Sequence, residues 1–259
     1  MHRVPTAALL AIIAPTIGAA APTLRADERR FTFTQEAPTT PPGSVELENW
    51  FTWKKSTPED SSFNRFEFRH EVELGLTDNM QVAFYLADWS VTSGRSVEKD
   101  HAKYDDSAVE LKINYLDDAT DGFSLSSYHE VKLGDEVFEL ENKLILQKNL
   151  GPFVAAYNLT LEAAWEGHTY REREGEFSQS LGLSYEVTPK FLVGAEALYE
   201  IPLPDWKTGA NQNFFIGPVA SYRFGGDNDW WVTATALRQT TNTPDEPEWQ
   251  VRVIVGVSF

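Results

Sequence analysis

Trp249-Gln-Val-Arg-Val-Ile-Val-Gly-Val-Ser-Phe259 ends the chain and decides its reading. Side chains of an extended strand alternate faces with period two. Trp249, Val251, Val253, Val255, Val257 and Phe259 therefore share one apolar side. Gln250, Arg252, Ile254, Gly256 and Ser258 share the other. A terminal strand of this pattern has one face for an apolar medium and one for a polar interior.

The opposite end fixes the compartment. His2 and Arg3 precede the apolar run Ala8–Ala14, and Ala19-Ala20-Ala21 supplies small residues for cleavage. Residues 1–26 read as a secretory signal peptide, cut near Ala20 or after Ala26. The run is short and broken by Pro15 and Gly18, so it does not span a membrane as a helix. The chain has no cysteine, which removes lipid attachment to a thiol, disulfides and thiolate metal sites. An exported chain of 259 residues without disulfides needs a large core or a closed hydrogen-bonded sheet.

The formal charge is −17, and loss of Arg3 and Arg25 with the signal peptide leaves −19. Such a balance argues against nucleic acid as a partner. Mean hydropathy is −0.36, although aromatics make up 13% of residues. A polar average with many aromatics suits alternating strands rather than membrane helices.

Residues 27–44 carry Arg29-Arg30-Phe-Thr-Phe-Thr-Gln and Ala37-Pro-Thr-Thr-Pro-Pro-Gly43. They read as a periplasmic lead-in and a stiff Pro-rich linker, because proline cannot join a central ladder. Twelve strands are expected from there on, over 45–54, 63–76, 80–90, 106–116, 122–133, 136–148, 151–165, 176–187, 190–201, 213–224, 229–238 and 248–259. Most reach the length that a tilted strand needs to cross the hydrocarbon layer.

The connections alternate as well. Thr77–Asn79, Asp117–Asp121, Asn149-Leu150, Thr188-Pro189 and Gly225–Asn228 are short. Lys55–Ser62, Val91–Asp105, Glu166–Gly175, Pro202–Gln212 and Gln239–Pro247 are longer and polar, while Gly134-Asp135 is a tight turn. Short turns on one side and longer loops on the other are expected of an up-and-down barrel. An even strand count returns both ends to the periplasmic side. Aromatics gather in two bands: Tyr115, Phe123, Phe153, Tyr185 and Phe191 belong to one, Trp53, Phe66, Trp165, Tyr199 and Trp249 to the other. Interfacial girdles of this kind flank transmembrane barrels.

The mature chain resembles a single-chain bacterial outer-membrane β-barrel. The terminal strand is similar to the signal that the barrel-assembly machinery reads, carried by Trp249, Val251, Val253, Val255, Val257 and Phe259. The stretch Phe66–Leu86 resembles an early hairpin of porin-like barrels grouped with the phenol-degradation meta-pathway transporters, and Gly43–Trp50 is similar to their first strand. That resemblance implies a channel or transporter and names no solute.

The fold class expected is therefore all-β: a transmembrane antiparallel up-and-down barrel of about twelve strands over 45–259, both termini periplasmic. Export through a Sec-type route would place it in the outer membrane of a Gram-negative-type bacterium, surrounded by lipid. The inward face is rich in charge. Acidic candidates for the lumen lining include Glu67, Glu71, Glu73, Glu110, Glu130, Glu139, Glu141, Glu162 and Glu196. Basic candidates are Arg65, Arg69, Lys112, Lys132, Lys143, Arg223, Arg238 and Arg252, with Arg238 on the face of Trp230. Acids and bases alternate along Arg65-x-Glu67-x-Arg69-x-Glu71-x-Glu73, so same-face pairs can neutralise one another. The lumen reads as narrow or partly filled. Its acid surplus predicts modest, cation-preferring conductance for small solutes.

Two other roles compete with a channel. One is a polar-filled structural or adhesive barrel. The other is an outer-membrane hydrolase, for which His101 and His168 lie in loops near acids, without a nucleophile motif. Asp100-His101, Asp105-Asp106 and Gly225–Asp229 offer ligand atoms without a recognised metal spacing, so neither a metal site nor a cofactor is expected. The oligomeric state is left open.

Overall fold

The computed structural model describes residues 29–97, 101–208, 211–224 and 229–259. The expected signal peptide and the turn 225–228 lie outside the described residues. Twelve strands follow one another: β1 (Val45–Lys55), β2 (Asn64–Thr77), β3 (Met80–Ser93), β4 (His101–Leu116), β5 (Ser124–Gly134), β6 (Val137–Leu150), β7 (Phe153–Glu166), β8 (Glu172–Thr188), β9 (Phe191–Pro202), β10 (Asn213–Phe224), β11 (Asp229–Gln239) and β12 (Trp249–Ser258). One helical turn, α1 (Asp118–Asp121), lies between β4 and β5, and a 3-10 turn, η1 (Pro204–Trp206), follows β9.

Each strand pairs with its neighbours in sequence, and β12 pairs with β1 to close the barrel. The closing seam is antiparallel and runs from Glu46 opposite Ser258 to Lys55 opposite Trp249. Closure leaves no open sheet edge, so the ladder satisfies the strand backbones internally. That accounting is what a hydrocarbon surrounding demands. Phe259 N donates to Val45 O at 2.9 Å, which puts the end of the chain and the start of the barrel together at the short-turn end.

The outward faces are apolar and remain exposed. At the short-turn end Tyr115, Phe123, Phe153, Tyr185 and Phe191 are exposed, as are Trp230 and Phe259. Those of the long-loop band also contact one another. Phe66 stacks on Trp53, Trp165 meets Trp206 edge-on at 5.1 Å, and Tyr199 lies beside Phe214. On β12, Trp249 and Phe259 are exposed, whereas Val257 is covered between Leu47 and Trp230.

Two hairpins extend further than their sequences suggest. β3 runs to Ser93 and β4 starts at His101, because the ladder resumes past a register shift at Asp88 and continues to Thr92 opposite His101. The expected long loop over Val91–Asp105 is thus mostly paired strand. β8 likewise starts at Glu172, opposite Glu166, instead of at residue 176.

The largest departure is the segment before β1. Residues 30–42 do not form a linker outside the barrel. They lie inside it, at the short-turn half, with Phe31 and Ala37 fully buried. Pro38, Pro41 and Pro42 bar this segment from the sheet. Inward-facing side chains satisfy its backbone groups instead.

Candidate functional site

The inserted segment makes almost a full circuit of the inner wall. Thr40 N donates to Gln81 Oε1 on β3 (2.9 Å). Ala37 O accepts from Asn114 Nδ2 on β4 (3.2 Å) and Ser126 Oγ on β5 (2.6 Å), while Ala37 N donates to Gln147 Oε1 on β6 (3.0 Å). Gln35 exchanges both backbone bonds with the Asn158 amide on β7, at 2.6 and 2.8 Å. Glu196 on β9 then accepts three successive backbone N–H groups, from Thr32 (3.0 Å), Phe33 (2.8 Å) and Thr34 (2.8 Å). Thr235 Oγ1 on β11 donates to the same carboxylate at 2.5 Å. Successive N–H groups converging on one carboxylate form an anion nest in which the anion belongs to the wall.

Apolar packing completes the seat. Phe31 packs against Val154, Ala156 and Val219, and burying such a ring is worth about 1.5–3 kcal/mol. Its ring lies flat over Gly182, where an added Cβ would fall 2.6 Å from Phe31 Cδ1. Gly75 plays the same part lower down, since a Cβ there would meet Pro41 O at 2.0 Å. Phe33 packs against the inward cluster of Leu198, Phe215 and Leu237. An apolar cluster therefore fills part of the lumen along β9–β11.

Above the segment, toward the long loops, a cavity of about 870 Å³ remains. Thr32, Phe33 and Gln35 contribute to its lining from below. Arg65, Glu67, Arg69, Lys132, Glu139, Glu141, Lys143, Glu162 and Arg252 all line it. In total, twelve carboxylates and seven Lys or Arg side chains line the cavity.

The charges are linked on one wall and crowded on the other. Arg69 pairs with Asp88 at 2.5 Å, reaches Glu130 at 3.8 Å and lies over the Tyr85 ring at 4.2 Å. Lys132 bridges Glu139 (2.6 Å), Glu141 (3.3 Å) and Glu130 (3.5 Å), and Lys143 pairs with Glu141 at 2.7 Å. Glu67 takes both Lys54 (2.9 Å) and Arg65 (2.8 Å). Across β6, β7 and β8, however, Glu141, Glu162 and Glu176 stand directly opposite one another. Like charges in that register repel. Among the described residues, neither Glu162 nor Glu176 has a cation within ion-pair distance. Glu139, Glu141 and Glu162 bring carboxylate oxygens within 4.8 Å of one another, but Lys132 and Lys143 already occupy that corner.

Glu71, Glu73, Glu110, Lys112, Glu130 and Glu196 are buried deeper in the lumen wall. Glu110 accepts from Tyr85 Oη at 2.6 Å, and Tyr128 Oη donates to Glu130. Arg223 is half-buried near the short turns, opposite Trp231. Arg238 does not line the lumen. It faces outward, over the Trp249 ring at 5.5 Å. The inward positions of β11 are taken by Leu237 and Gln239, so the strand's period sends Arg238 to the rim. His168 lies at the cavity mouth, 90% exposed and 2.8 Å from Glu136, with no hydroxyl bonded to it among the described residues. The His101 side chain is outside the described residues.

Strand alternation alone does not reveal Arg29, Gln35, Trp50 or the inserted segment. A signal was present nonetheless: Gln81, Gln147 and Asn158 put neutral amides on inward positions where an open, charged lumen has no need of them.

A family model matches residues 23–245. The chain belongs to the family of unknown function DUF6662. No curated protein matches it in sequence. Among solved structures, it is similar to the COG4313 outer membrane channel from Pseudomonas putida F1, with a TM-score of 0.65 and 14% identity over 88% of this chain and 100% of that one. It is also similar to the NanC porin, with a TM-score of 0.52 and 11% identity over 83% and 98% of the two chains. At these identities the likeness shows the barrel fold.

Proposed function

We propose that the chain is an outer-membrane channel for small solutes, with modest, cation-preferring conductance and a lumen narrowed by its own N-terminal segment. The single observation that carries this reading is the 870 Å³ cavity with its surplus of carboxylates, twelve against seven cationic side chains. Fixed negative charge in a low-dielectric passage concentrates cations and excludes anions. The two similar structures are an outer membrane channel and a porin, which supports the reading. Outer-membrane placement also follows from the closed barrel and its apolar outer face. Both termini would lie on the periplasmic side, and the β12 face from Trp249 to Phe259 would be read by the assembly machinery. The likeness of the early strands to barrels grouped with phenol-degradation transporters remains part of this proposal and assigns no solute.

The inserted segment favours one second reading, a sealed barrel with a structural role. Reconstitution in a planar bilayer separates the two. A reversal potential on the cation side in a salt gradient is the expected result. Clear anion preference overturns the selectivity, and a complete absence of current favours the sealed barrel.

A further inference from the structure

Arg29, the first described residue of the inserted segment, fills a site that the barrel wall builds around it. Its Nε donates to Glu48 Oε1 at 2.6 Å, Nη2 lies 3.4 Å from Glu71 Oε2, and Nη1 donates to Gln35 Oε1 at 2.5 Å. Its guanidinium carbon lies 4.8 Å from the Trp50 ring centroid, in cation–π contact. The carboxylates are 1% and 0% exposed, and Trp50 Nε1 donates to the second oxygen of Glu48 at 2.7 Å, which fixes its orientation. The second oxygen of Glu71 is buried without a hydrogen-bond partner.

The wall needs a cation at this point whether or not it comes from Arg29. Glu48 stands directly opposite Glu71, and Glu46 directly opposite Glu73, so two carboxylate pairs are stacked along the β1–β2 ladder. All four are buried. Opposed, buried like charges are costly without a counterion. The counterion is supplied by a segment that has no place in the sheet and that is held by bonds to wall side chains and by the packing of Phe31 and Phe33. Trp50 and Gln35 also line the cavity, so the site adjoins the space that a solute from the long-loop end would enter.

We propose that the Glu48–Glu71–Trp50 site is a recognition site for alkylguanidinium cations, and that Arg29 is its tethered occupant. The planar fork of a guanidinium matches carboxylate geometry and stacks on an indole, whereas a compact or quaternary ammonium does only one of these. The inserted segment thereby acts as a built-in competitor: a free alkylguanidinium solute binds when Arg29 leaves. This deepens the channel reading and rests on it for the route by which solute reaches the site.

The test uses the full-length chain carrying Arg29→Ala, with methylguanidinium as probe and tetramethylammonium at equal ionic strength as control. The temperature at which the folded barrel loses its unheated gel mobility is expected to fall in the variant. Methylguanidinium restores it, with half-effect at a concentration about tenfold below that of tetramethylammonium. The wild type does not respond, and neither does the triple variant that adds Glu48→Gln and Glu71→Gln. In a planar bilayer the R29A current rises and is blocked saturably by methylguanidinium. Equal effects of the two cations, or rescue that survives in the triple variant, overturn the site. Rescue without any current in either protein overturns the channel reading and leaves the site standing. Should R29A not assemble, refolding with and without methylguanidinium replaces the melting readout: recovery only with the probe supports the site, and recovery in both or in neither overturns it.

Discussion

Glu196 holds the inserted segment more directly than any other residue of the wall. Its carboxylate accepts the Thr32, Phe33 and Thr34 amides and the Thr235 hydroxyl. Hydrogen bonds to a charged acceptor are worth about 1.5–3 kcal/mol each, and three amides left unmet inside the barrel would be costly. Glu196→Ala is therefore expected to shift the docked-to-undocked ratio of the segment by roughly a hundredfold, or about 3 kcal/mol. Single-channel conductance should rise, and amide exchange at Thr32–Thr34 should quicken by a similar factor. An unchanged exchange rate would show that Phe31 and Arg29 hold the segment without Glu196. Gly182 tests the apolar half of the same seat. Any side chain there meets the Phe31 ring, so Gly182→Val should unseat the segment while the ladder of β8 persists. The measurement is conductance together with the gel mobility of the intact barrel. A rise in current with normal mobility is the expected pair of results.

The elements divide into those visible in the chain and those that are not. Many of the twelve strands announce themselves by alternation, and Phe191–Ile201 or Val109–Tyr115 can be assigned to faces from residue types alone, whereas the strand over 80–90 carries apolar groups on both faces. Strand ends were less legible. The ladder between β3 and β4 passes a register shift at Asp88, where the alternation changes phase and imitates a loop. The inserted segment was illegible for a deeper reason. Its partners lie up to 220 positions away in sequence, and its conformation follows no period. Arg238 misled because a charge at a strand end suits a rim as well as a lumen. The long-loop hairpins carry a further prediction. Asp60 accepts from the Ser62 hydroxyl (2.6 Å) and amide (2.9 Å) and from the Ser96 amide (2.7 Å) and hydroxyl (2.9 Å), tying the β1–β2 and β3–β4 loops together. These bonds, the Ser62 hydroxyl first, hold its carboxyl well below the usual carboxylate range. A depressed folded value means that the tie is fully present above the unfolded value of about 3.9 and is lost as pH falls through the lower folded one. Protection of the Ser62 and Ser96 amides should thus be flat from neutral pH down to about pH 4, after correction for intrinsic exchange. Asp60→Asn should lower it throughout that range.

At the scale of the whole molecule the barrel is lopsided. Phe33, Leu198, Phe215 and Leu237 cluster on the β9–β11 side, Phe31 packs between β7 and β10, and charged side chains line much of the cavity. In the proposed channel, passage is pushed toward the charged wall, where the opposed Glu141, Glu162 and Glu176 lie beside the bridged Lys132 and Lys143. Glu141 is already paired, so Glu162 and Glu176 are the carboxylates of this opposed row left to meet a permeating ion. Both stand in the long-loop half, away from the bonds that hold the inserted segment. The double substitution Glu162→Gln and Glu176→Gln should therefore leave the barrel and the segment intact and reduce cation preference alone. It removes an opposed like-charge pair, so stability should hold or rise slightly, by the few tenths of a kcal/mol to about 1 kcal/mol typical of cross-strand pairs. The reversal potential in a salt gradient should move toward zero. That difference from wild type should shrink at about 1 M salt, where the Debye length falls to roughly 3 Å and the carboxylates no longer reach across the cavity. A reversal potential unchanged by the double substitution would place the selectivity deeper, at the carboxylates around Arg29.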